Sequence, residues 1–219
     1  MIKRITVSRG GWLSLALLLT LAVFALTLRV AVSRVYETIY DNLFEQTRIT
    51  ADLLCDHIDD YVNQDGDWET YDYAGDFGRS FSRLDSWTGV FAAIYDKDRN
   101  ALSERVSGGG EPLVSPWESE AFIQAVSGGW SGEVTIPTVL LNGKADEMRV
   151  YFRWVPTGEY ATKLLTATGV NRDAIKANHA DMLVAWCVAL LATAAVTVTA
   201  ALIILTHHRH EEGIPDAER

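Results

Sequence analysis

The sequence predicts an α+β protein, in which an antiparallel sheet of five strands has a long N-terminal helix and helices to one side. A transmembrane helix is expected at each flank. Two apolar runs without a charged residue lie near the two ends of the 219-residue chain, a helical periodicity follows the first run, and short β-type segments fill the middle. Because 48% of the residues are apolar, the chain can bury one ordinary domain between these runs.

The two apolar runs are long enough to cross a membrane. Gly10–Leu28 and Met182–Thr206 carry no charged residue, and about 20 helical residues cross a hydrocarbon core of about 30 Å. The basic residues Lys3, Arg4 and Arg9 precede the first run, which favours a cytoplasmic N-terminus. Two crossings then return the C-terminus to the cytoplasm.

This topology divides the chain into five segments. We expect a cytoplasmic N-terminus at 1–9, a transmembrane helix at 10–34, an extracytoplasmic domain at 35–181, a second transmembrane helix at 182–206 and a short cytoplasmic tail at 207–219. A cleaved signal peptide is the alternative for the first run, because Ala31-Val32-Ser33 resembles a cleavage site. Against it, the first run exceeds the usual apolar region of about 7 to 15 residues, and the helical pattern continues through it.

The central segment is strongly acidic. Residues 35–181 contain 25 Asp and Glu against 12 Lys and Arg, a formal charge of −13, compared with −10 for the whole chain. A surface of this sign repels phosphate backbones, so nucleic acid is not an expected partner. Cys55 and Cys187 lie in different segments and cannot pair, which leaves Cys55 as a half-buried free thiol on a helix or as a cross-link between two copies.

Apolar residues recur in steps of three and four from Val35 to Val62, which predicts a long amphipathic helix. We expect its distal half to cover the sheet and its membrane-proximal half to form a homodimer with a second copy. An acidic segment, Asp65–Asp76, follows it. Calcium-loop spacing is partly matched by Asn63, Asp65, Gly66, Asp67 and Glu69. Tyr61 stands at its first ligand position and Asp72 at its last, so a solvated acidic loop is the alternative.

The middle of the chain predicts a hairpin, a helix and three further strands. In the hairpin, Val90–Tyr95 is followed by the turn Asp96–Asn100, whose Asp and Asn side chains can bond the turn backbone. Ser115-Pro116-Trp117-Glu118 predicts a helix start with a capping box, and Gly128-Gly129 predicts its end. The further strands are expected at Trp130–Thr138, Met148–Val155 and Lys163–Gly169, followed by a helix at 171–181.

The strand that ends in Asp96-Lys97-Asp98 and is followed by a second strand resembles the central hairpin of bacterial Cache and PAS-like extracytoplasmic sensor domains. A Gly usually follows the turn acids in that family, whereas this chain has Arg99-Asn100. The element order over Val35–Arg172 is similar to a single-Cache domain bracketed by two membrane spans, as in chemoreceptors and sensor kinases. The resemblance implies a place in the bacterial inner membrane, and the family's signalling module after the second span is absent from this sequence.

The fourth strand carries the candidate ligand site. Alternation along it places Arg149, Tyr151 and Arg153 on one face and apolar residues on the other. Two arginines beside a phenol suit an anionic small molecule. The alternative is a solvated face whose charges pair with Glu133 or Glu147. The resemblance implies a ligand over the sheet on the side away from the long helix, with Trp87, Tyr95 and Trp117 as pocket walls.

No catalytic arrangement is visible in the sequence, because His57 and His179 stand beside acids without the spacing of a nucleophile with its base or of a zinc site. We therefore expect no enzyme activity, no cofactor and no metal. The expected function is a membrane-anchored extracytoplasmic small-molecule sensor that signals through a separate partner protein. The alternative is a non-sensing accessory or structural subunit whose outer domain docks on another membrane protein.

Overall fold

The computed structural model of the protein describes residues 9–64, 70–82, 89–106, 115–139, 145–155, 164–178 and 180–211. Several predicted features lie outside the described residues, namely positions 65–69 of the calcium-like segment, Trp87, Lys163 and His179. The chain divides into two compact units. One unit comprises residues 35–178 and the other the flanking segments 1–34 and 179–219.

The described residues form five helices and five strands, which we number in chain order. The helices are α1 (Arg9–Asn63), α2 (Tyr73–Phe81), α3 (Glu120–Gly128), α4 (Arg172–Asn178) and α5 (Ala180–Glu211). The strands are β1 (Val90–Asp96), β2 (Ala101–Val106), β3 (Ser131–Val139), β4 (Ala145–Trp154) and β5 (Leu164–Asn171). A short 3₁₀ turn, Pro116–Glu118, precedes α3.

Among the described residues, one helix is long and apolar enough to cross a membrane. This helix is α1, within Leu18–Asn63, and its exposed apolar side chains there include Leu18, Leu19 and Phe24. Helix α5 contributes a shorter apolar stretch, Val184–Thr199. The N-terminal helix is thus compatible with a membrane anchor, and the second crossing stays a prediction.

The five strands form one antiparallel sheet in the order β2-β1-β5-β4-β3. The central strand β5 is buried along all eight residues, as expected for a strand covered on both faces. Close packing requires a glycine within it, because a Cβ atom on Gly169 would lie 2.9 Å from Met148 Sδ. The predicted five-stranded antiparallel sheet with a long N-terminal helix is confirmed.

Helices α1 and α2 pack against one side of the sheet, which we call the helix face. The residues that α1 buries there recur in steps of three and four, as an amphipathic helix requires. They are Leu43, Phe44, Thr47, Ala51, Leu54, Cys55 and Ile58. The prediction that the distal half of the long helix covers the sheet is therefore confirmed, but Leu43 and Phe44 of its proximal half cover the sheet as well.

Helix α3 packs against the opposite side of the sheet, which we call the outer face. Its residues Phe122 and Val126 join Phe91, Val150 and Phe152 in a second apolar core. The prediction of helices to one side only is wrong. The physical reason is that α3 has an apolar stripe of its own, which it buries against the apolar residues that β1 and β4 direct to that face.

The hairpin turn forms as predicted, whereas the capping box does not. Asp96 Oδ1 accepts hydrogen bonds from the amides of Asp98 and Asn100, each at 2.8 Å. Arg99 takes a positive φ of 69°, the conformation that usually favours glycine. Ser115 makes no side-chain capping hydrogen bond, and its carbonyl instead accepts from the Glu118 amide at 2.9 Å in the 3₁₀ turn.

Candidate functional site

The structure divides the predicted site residues between the two faces of the sheet. Tyr151 lies in the core of the helix face, and Tyr95 lies in the core of the outer face. The register explains this division. Tyr151 pairs through Thr168 with Ala92, so these residues share a face, and Tyr95, three residues after Ala92, points to the other face. Trp117 lies on the outer face with Tyr95. The helix face carries Arg149 and Arg153 together with Tyr151. Trp87 lies outside the described residues.

Arg153 binds two carboxylates of α1. Its Nη1 is 3.0 Å from Asp52 Oδ1, and its Nη2 is 2.6 Å from Asp56 Oδ1. Asp52 and Asp56 are four residues apart and therefore lie on the same side of the helix. With 24% of its side chain exposed, Arg153 is largely enclosed between β4 and α1. This cation joins the helix to the sheet.

Two neighbours of Arg153 on β4 complete what we call the helix-facing network. Tyr151 Oη donates to Asp52 Oδ1 at 2.6 Å. Arg149 Nη2 is 2.6 Å from Glu133 Oε2 on β3, and its Nη1 is 3.4 Å from Asp41 Oδ1 on α1. The predicted alternative, pairing with Glu133, is thus confirmed for Arg149. The sequence analysis did not identify the partners on α1, which are Asp41, Asp52 and Asp56. The spacing of four residues between Asp52 and Asp56, beside the apolar stripe of the helix, could have indicated them.

Burial sets the protonation of this network. It raises the pKa of Tyr151, and the hydrogen bond to Asp52 raises it further, so the phenol stays a donor. Burial lowers the pKa of Arg153, but the hydrogen bond to Asp52 and the adjacent negative charges outweigh it and raise the pKa overall. The three β4 side chains are therefore engaged in joining sheet and helix, and their binding of a ligand stays a prediction.

Cys55 lies beneath this network as a buried free thiol. Its Sγ is 3.0 Å from Thr166 Oγ1, and burial raises its pKa to about 12. The thiolate is the reactive form of cysteine, so this thiol is unreactive at neutral pH. Of the two predicted alternatives, the structure supports the free thiol, and it places Cys55 fully in the core where the sequence predicted a half-buried position.

Helix α2 is attached to α1 through Asp76. This carboxylate accepts hydrogen bonds from Tyr71 and Arg79, and His57 Nε2 lies 3.2 Å from its Oδ2. Desolvation raises the pKa of Asp76, but these hydrogen bonds outweigh it and lower the pKa below its ordinary value. Within the described part of the chain, no group of three or more His, Cys, Asp or Glu residues is placed to hold a metal ion.

The outer face carries an aromatic cluster beneath the 3₁₀ turn, which we call the outer aromatic cluster. It comprises Tyr95, Trp117, Phe122 and Phe152 in successive edge-to-face contacts, with ring centroids 5.7, 5.1 and 5.9 Å apart. The Arg99 guanidinium lies 5.0 Å from the Trp117 ring centroid. Such contacts fix the ring positions and place a cation beside them.

Two polar atoms of this cluster are buried without a hydrogen-bond partner in the part of the chain that the structure describes. They are Tyr95 Oη and Trp117 Nε1. Ser115 is close enough to lower the pKa of Tyr95, but no hydrogen bond of normal geometry joins the two. Burial dominates and raises that pKa, and the charge of Glu104 adds to the effect, so Tyr95 keeps its proton. Each buried donor left unpaired costs about 1 to 3 kcal/mol.

No protein family model matches the chain, and no curated protein matches it. Among solved structures, the chain is similar to the PAS domain of an HTR-like protein from Haloarcula marismortui. The two share 14% sequence identity over 42% of this chain and 97% of that domain, with a TM-score of 0.26. The fold described above, an α+β domain with a five-stranded antiparallel sheet, rests on the strands and helices of this chain and not on that similarity.

Proposed function

We propose that this protein is a membrane-anchored sensor whose residues 35–178 bind a small molecule at the outer aromatic cluster. The observation that carries the proposal is the pair of buried, unpartnered donors, Tyr95 Oη and Trp117 Nε1. Native proteins rarely leave such groups unpaired, and a ligand that offers an acceptor atom removes the cost. The ligand-free protein carries the energetic cost of two unpaired donors, and a bound small molecule with acceptor atoms removes that cost.

The ligand class follows from the neighbouring charges. Tyr95 and Trp117 both present hydrogens, Arg99 adds a positive charge beside the indole, and Glu104 is the negative charge near Tyr95. Acceptor groups such as carbonyls and carboxylates match this arrangement. The anionic ligand expected from the sequence is kept in this proposal, but its position moves from the β4 arginines to the outer face.

The helix-facing network supplies a route for the signal. Tyr95 lies on β1, which pairs with β5, and β5 pairs with β4, where Arg153 binds Asp52 and Asp56 of α1. Helix α1 is continuous from Arg9 to Asn63 and contains the membrane-crossing candidate. We propose that ligand binding shifts the sheet against α1, and that the displacement reaches a separate partner protein through the membrane.

A non-sensing accessory subunit is the second candidate function. The observation that favours it is a pair of exposed apolar side chains on α1, Ile49 and Leu53, which are directed away from the sheet. They would suit docking on another membrane protein or on a second copy of this chain. In this alternative the outer aromatic cluster is purely structural and no small molecule stabilises the domain.

The deciding experiment is a thermal-shift screen of the full chain in lipid nanodiscs against small carboxylates and carbonyl compounds. A ligand at about 100 times its dissociation constant adds about 2.7 kcal/mol to the stability. Tyr95→Phe and Trp117→Phe should each weaken that ligand about 10- to 100-fold, because each removes one hydrogen bond to an acceptor. Tyr61→Phe, on the exposed side of α1, is the matched control. Unchanged affinity in both variants would contradict the proposed site.

The two-pass topology is tested separately by cysteine labelling. In a chain with Cys187→Ser, a reagent that cannot cross the membrane should label Gln124→Cys from the extracytoplasmic side and should not label Glu212→Cys. Cys55 is buried and contributes little background. Labelling of both positions from the same side would exclude two crossings.

A further inference from the structure

A second candidate binding site lies at the end of α3, apart from the outer aromatic cluster. It is a cleft of about 310 Å³, which we call the tryptophan cleft, lined by Val126, Ser127, Gly128, Gly129, Trp130 and Trp154. The volume is at the lower end of the range for small-molecule sites, about 300 to 1,000 Å³. None of its lining residues belongs to the proposed sensor site.

The two indoles are brought together by the pairing of β3 with β4. The Trp154 amide donates to the Trp130 carbonyl at 2.8 Å, just beyond the ladder pair Ser131 and Arg153. Trp130 is 58% exposed, whereas tryptophan side chains in folded proteins are highly buried on average. Trp154 is half-buried and its Nε1 lies 3.5 Å from the Val126 carbonyl. Aromatic area is thus available at the cleft surface.

The end of α3 supplies hydrogen-bond acceptors to the cleft. Helix α3 ends here, and the last four carbonyls of a helix have no partner within it. One of them, the Val126 carbonyl, accepts from Trp154 Nε1, which leaves the carbonyls of Ser127 and Gly128 for a ligand. Gly129 has an extended backbone, with φ −160° and ψ 165°. The chain therefore lacks the left-handed residue that commonly ends a helix and brings backbone amides back to its last carbonyls. Ser127 Oγ donates its hydrogen to the Ile123 carbonyl at 2.7 Å, which leaves this oxygen as an acceptor toward the cleft.

The electrostatics of the cleft favour a cation. The C-terminus of a helix carries a partial negative charge, and indole faces attract cations. The six lining residues include no Lys, Arg, Asp or Glu, so no charged side chain of the cleft itself competes for the ligand. The surrounding segment 35–181 has a formal charge of −13, which also attracts cations.

We propose that the tryptophan cleft binds a small alkylammonium cation, with the alkyl chain against the indoles and the ammonium hydrogens directed to the carbonyls at the end of α3. An anion is disfavoured by the same carbonyls. A neutral alcohol of the same length keeps the apolar contact and loses the charge. Positive charge on the ligand is therefore the property that the cleft selects.

The test uses n-butylammonium chloride as the probe, 1-butanol as its neutral counterpart, and the full chain in nanodiscs studied by isothermal titration calorimetry at constant ionic strength. We expect n-butylammonium to bind more tightly than 1-butanol. Trp130→Leu keeps an apolar side chain without the π face and should weaken n-butylammonium about 2- to 30-fold. Since Trp130 is exposed, this variant is expected to fold.

A pair of lysine variants tests the charge. Ser127→Lys places a cation in the cleft and should abolish n-butylammonium binding, whereas Gln124→Lys adds the same charge to α3 outside the lining and should preserve it. Equal affinity for n-butylammonium and 1-butanol, no binding of either, or unchanged affinity in Trp130→Leu would overturn the proposal. A dimer that Trp130→Leu dissociates would also overturn it, because the cleft would then be a contact between copies.

Discussion

The two faces of the sheet carry similar side chains that are used differently. Each face buries a tyrosine of the sheet and has an arginine near its aromatic residues. On the helix face, Tyr151 donates to Asp52 and Arg153 binds two carboxylates of α1. On the outer face, Tyr95 has no hydrogen-bond partner among the described residues, and Arg99 lies against the Trp117 ring. The β4 side chains of the helix face join the sheet to α1, whereas Tyr95 and Trp117 on the outer face have no hydrogen-bond partner among the described residues.

The largest expected effect tests how α1 lies on the helix face. Leu54 is 2% exposed and its neighbour Leu53 is 65% exposed. Leu54→Ala removes buried methyl groups and should destabilise the domain by about 2 to 5 kcal/mol. Leu53→Ala, the same change one residue away, should stay within about 0.5 kcal/mol. Equal thermal midpoints for the two variants in nanodiscs would mean that α1 docks through a different side.

The next largest effect tests the ionic contact between β4 and α1. Arg153→Met keeps an unbranched side chain and leaves Asp52 and Asp56 without their cation. We expect a loss of about 2 kcal/mol, between the values for exposed and for buried ion pairs, because Arg153 is 24% exposed. This corresponds to a fall of about 4 to 8 °C in the thermal midpoint. Lys97→Met on the exposed hairpin turn removes the same charge and should leave the midpoint unchanged.

The two tyrosines give the sharpest form of the comparison. Tyr151→Phe deprives Asp52 of a donor and should cost about 1 to 2 kcal/mol. Tyr95→Phe removes a buried hydroxyl that has no partner in the described structure, so it should leave the ligand-free protein unchanged or stabilise it by up to about 1 kcal/mol. Opposite signs in one thermal-unfolding series are the expected result. A clear loss of stability in Tyr95→Phe would show that its hydroxyl is structural.

The smallest effect concerns pH and the attachment of α2 to α1. The pKa of Asp76 lies below its ordinary value of 3.8, so its contribution to stability is present above that value and is lost as the pH falls through the folded pKa. Asp76→Asn should cost about 1 kcal/mol at pH 7. Thermal midpoints of the wild type and the variant should converge below pH 3.8. Asp60→Asn, the same change at an exposed position of α1, should leave the thermal midpoint at pH 7 within about 1 °C of the wild type.

Much of the local structure was predictable from the sequence. The apolar spacing of α1 and the alternation along β4 are fixed by helix and strand geometry, so they can be recognised without a partner. The turn at Asp96 was equally predictable, because its side chain bonds the adjacent backbone. The capping box at Ser115 failed because a 3₁₀ turn occupies Pro116–Glu118 and the α-helix begins only at Glu120.

The candidate site was less predictable. Alternation correctly separated Arg149, Tyr151 and Arg153 from the apolar side of β4, and the family resemblance implied Tyr95 and Trp117 as walls of the same pocket. Alternation could not show that these two groups lie on opposite faces, because that depends on the pairing of β5 between β1 and β4. The helix-side partners Asp52 and Asp56 were missed for the same reason, since they are about one hundred residues from Arg153 along the chain.

The sequence by itself determined the periodicities of this protein: one long amphipathic helix, five strands, a polar face along β4 and apolar runs at the two flanks. Only the tertiary structure decided which polar groups are paired. It placed α1 across the face that carries Arg153 and Tyr151, and α3 across the face that carries Tyr95. Backbone geometry sets the period of a segment locally, whereas hydrogen-bond partners across a sheet depend on strand order and register, which are properties of the whole fold.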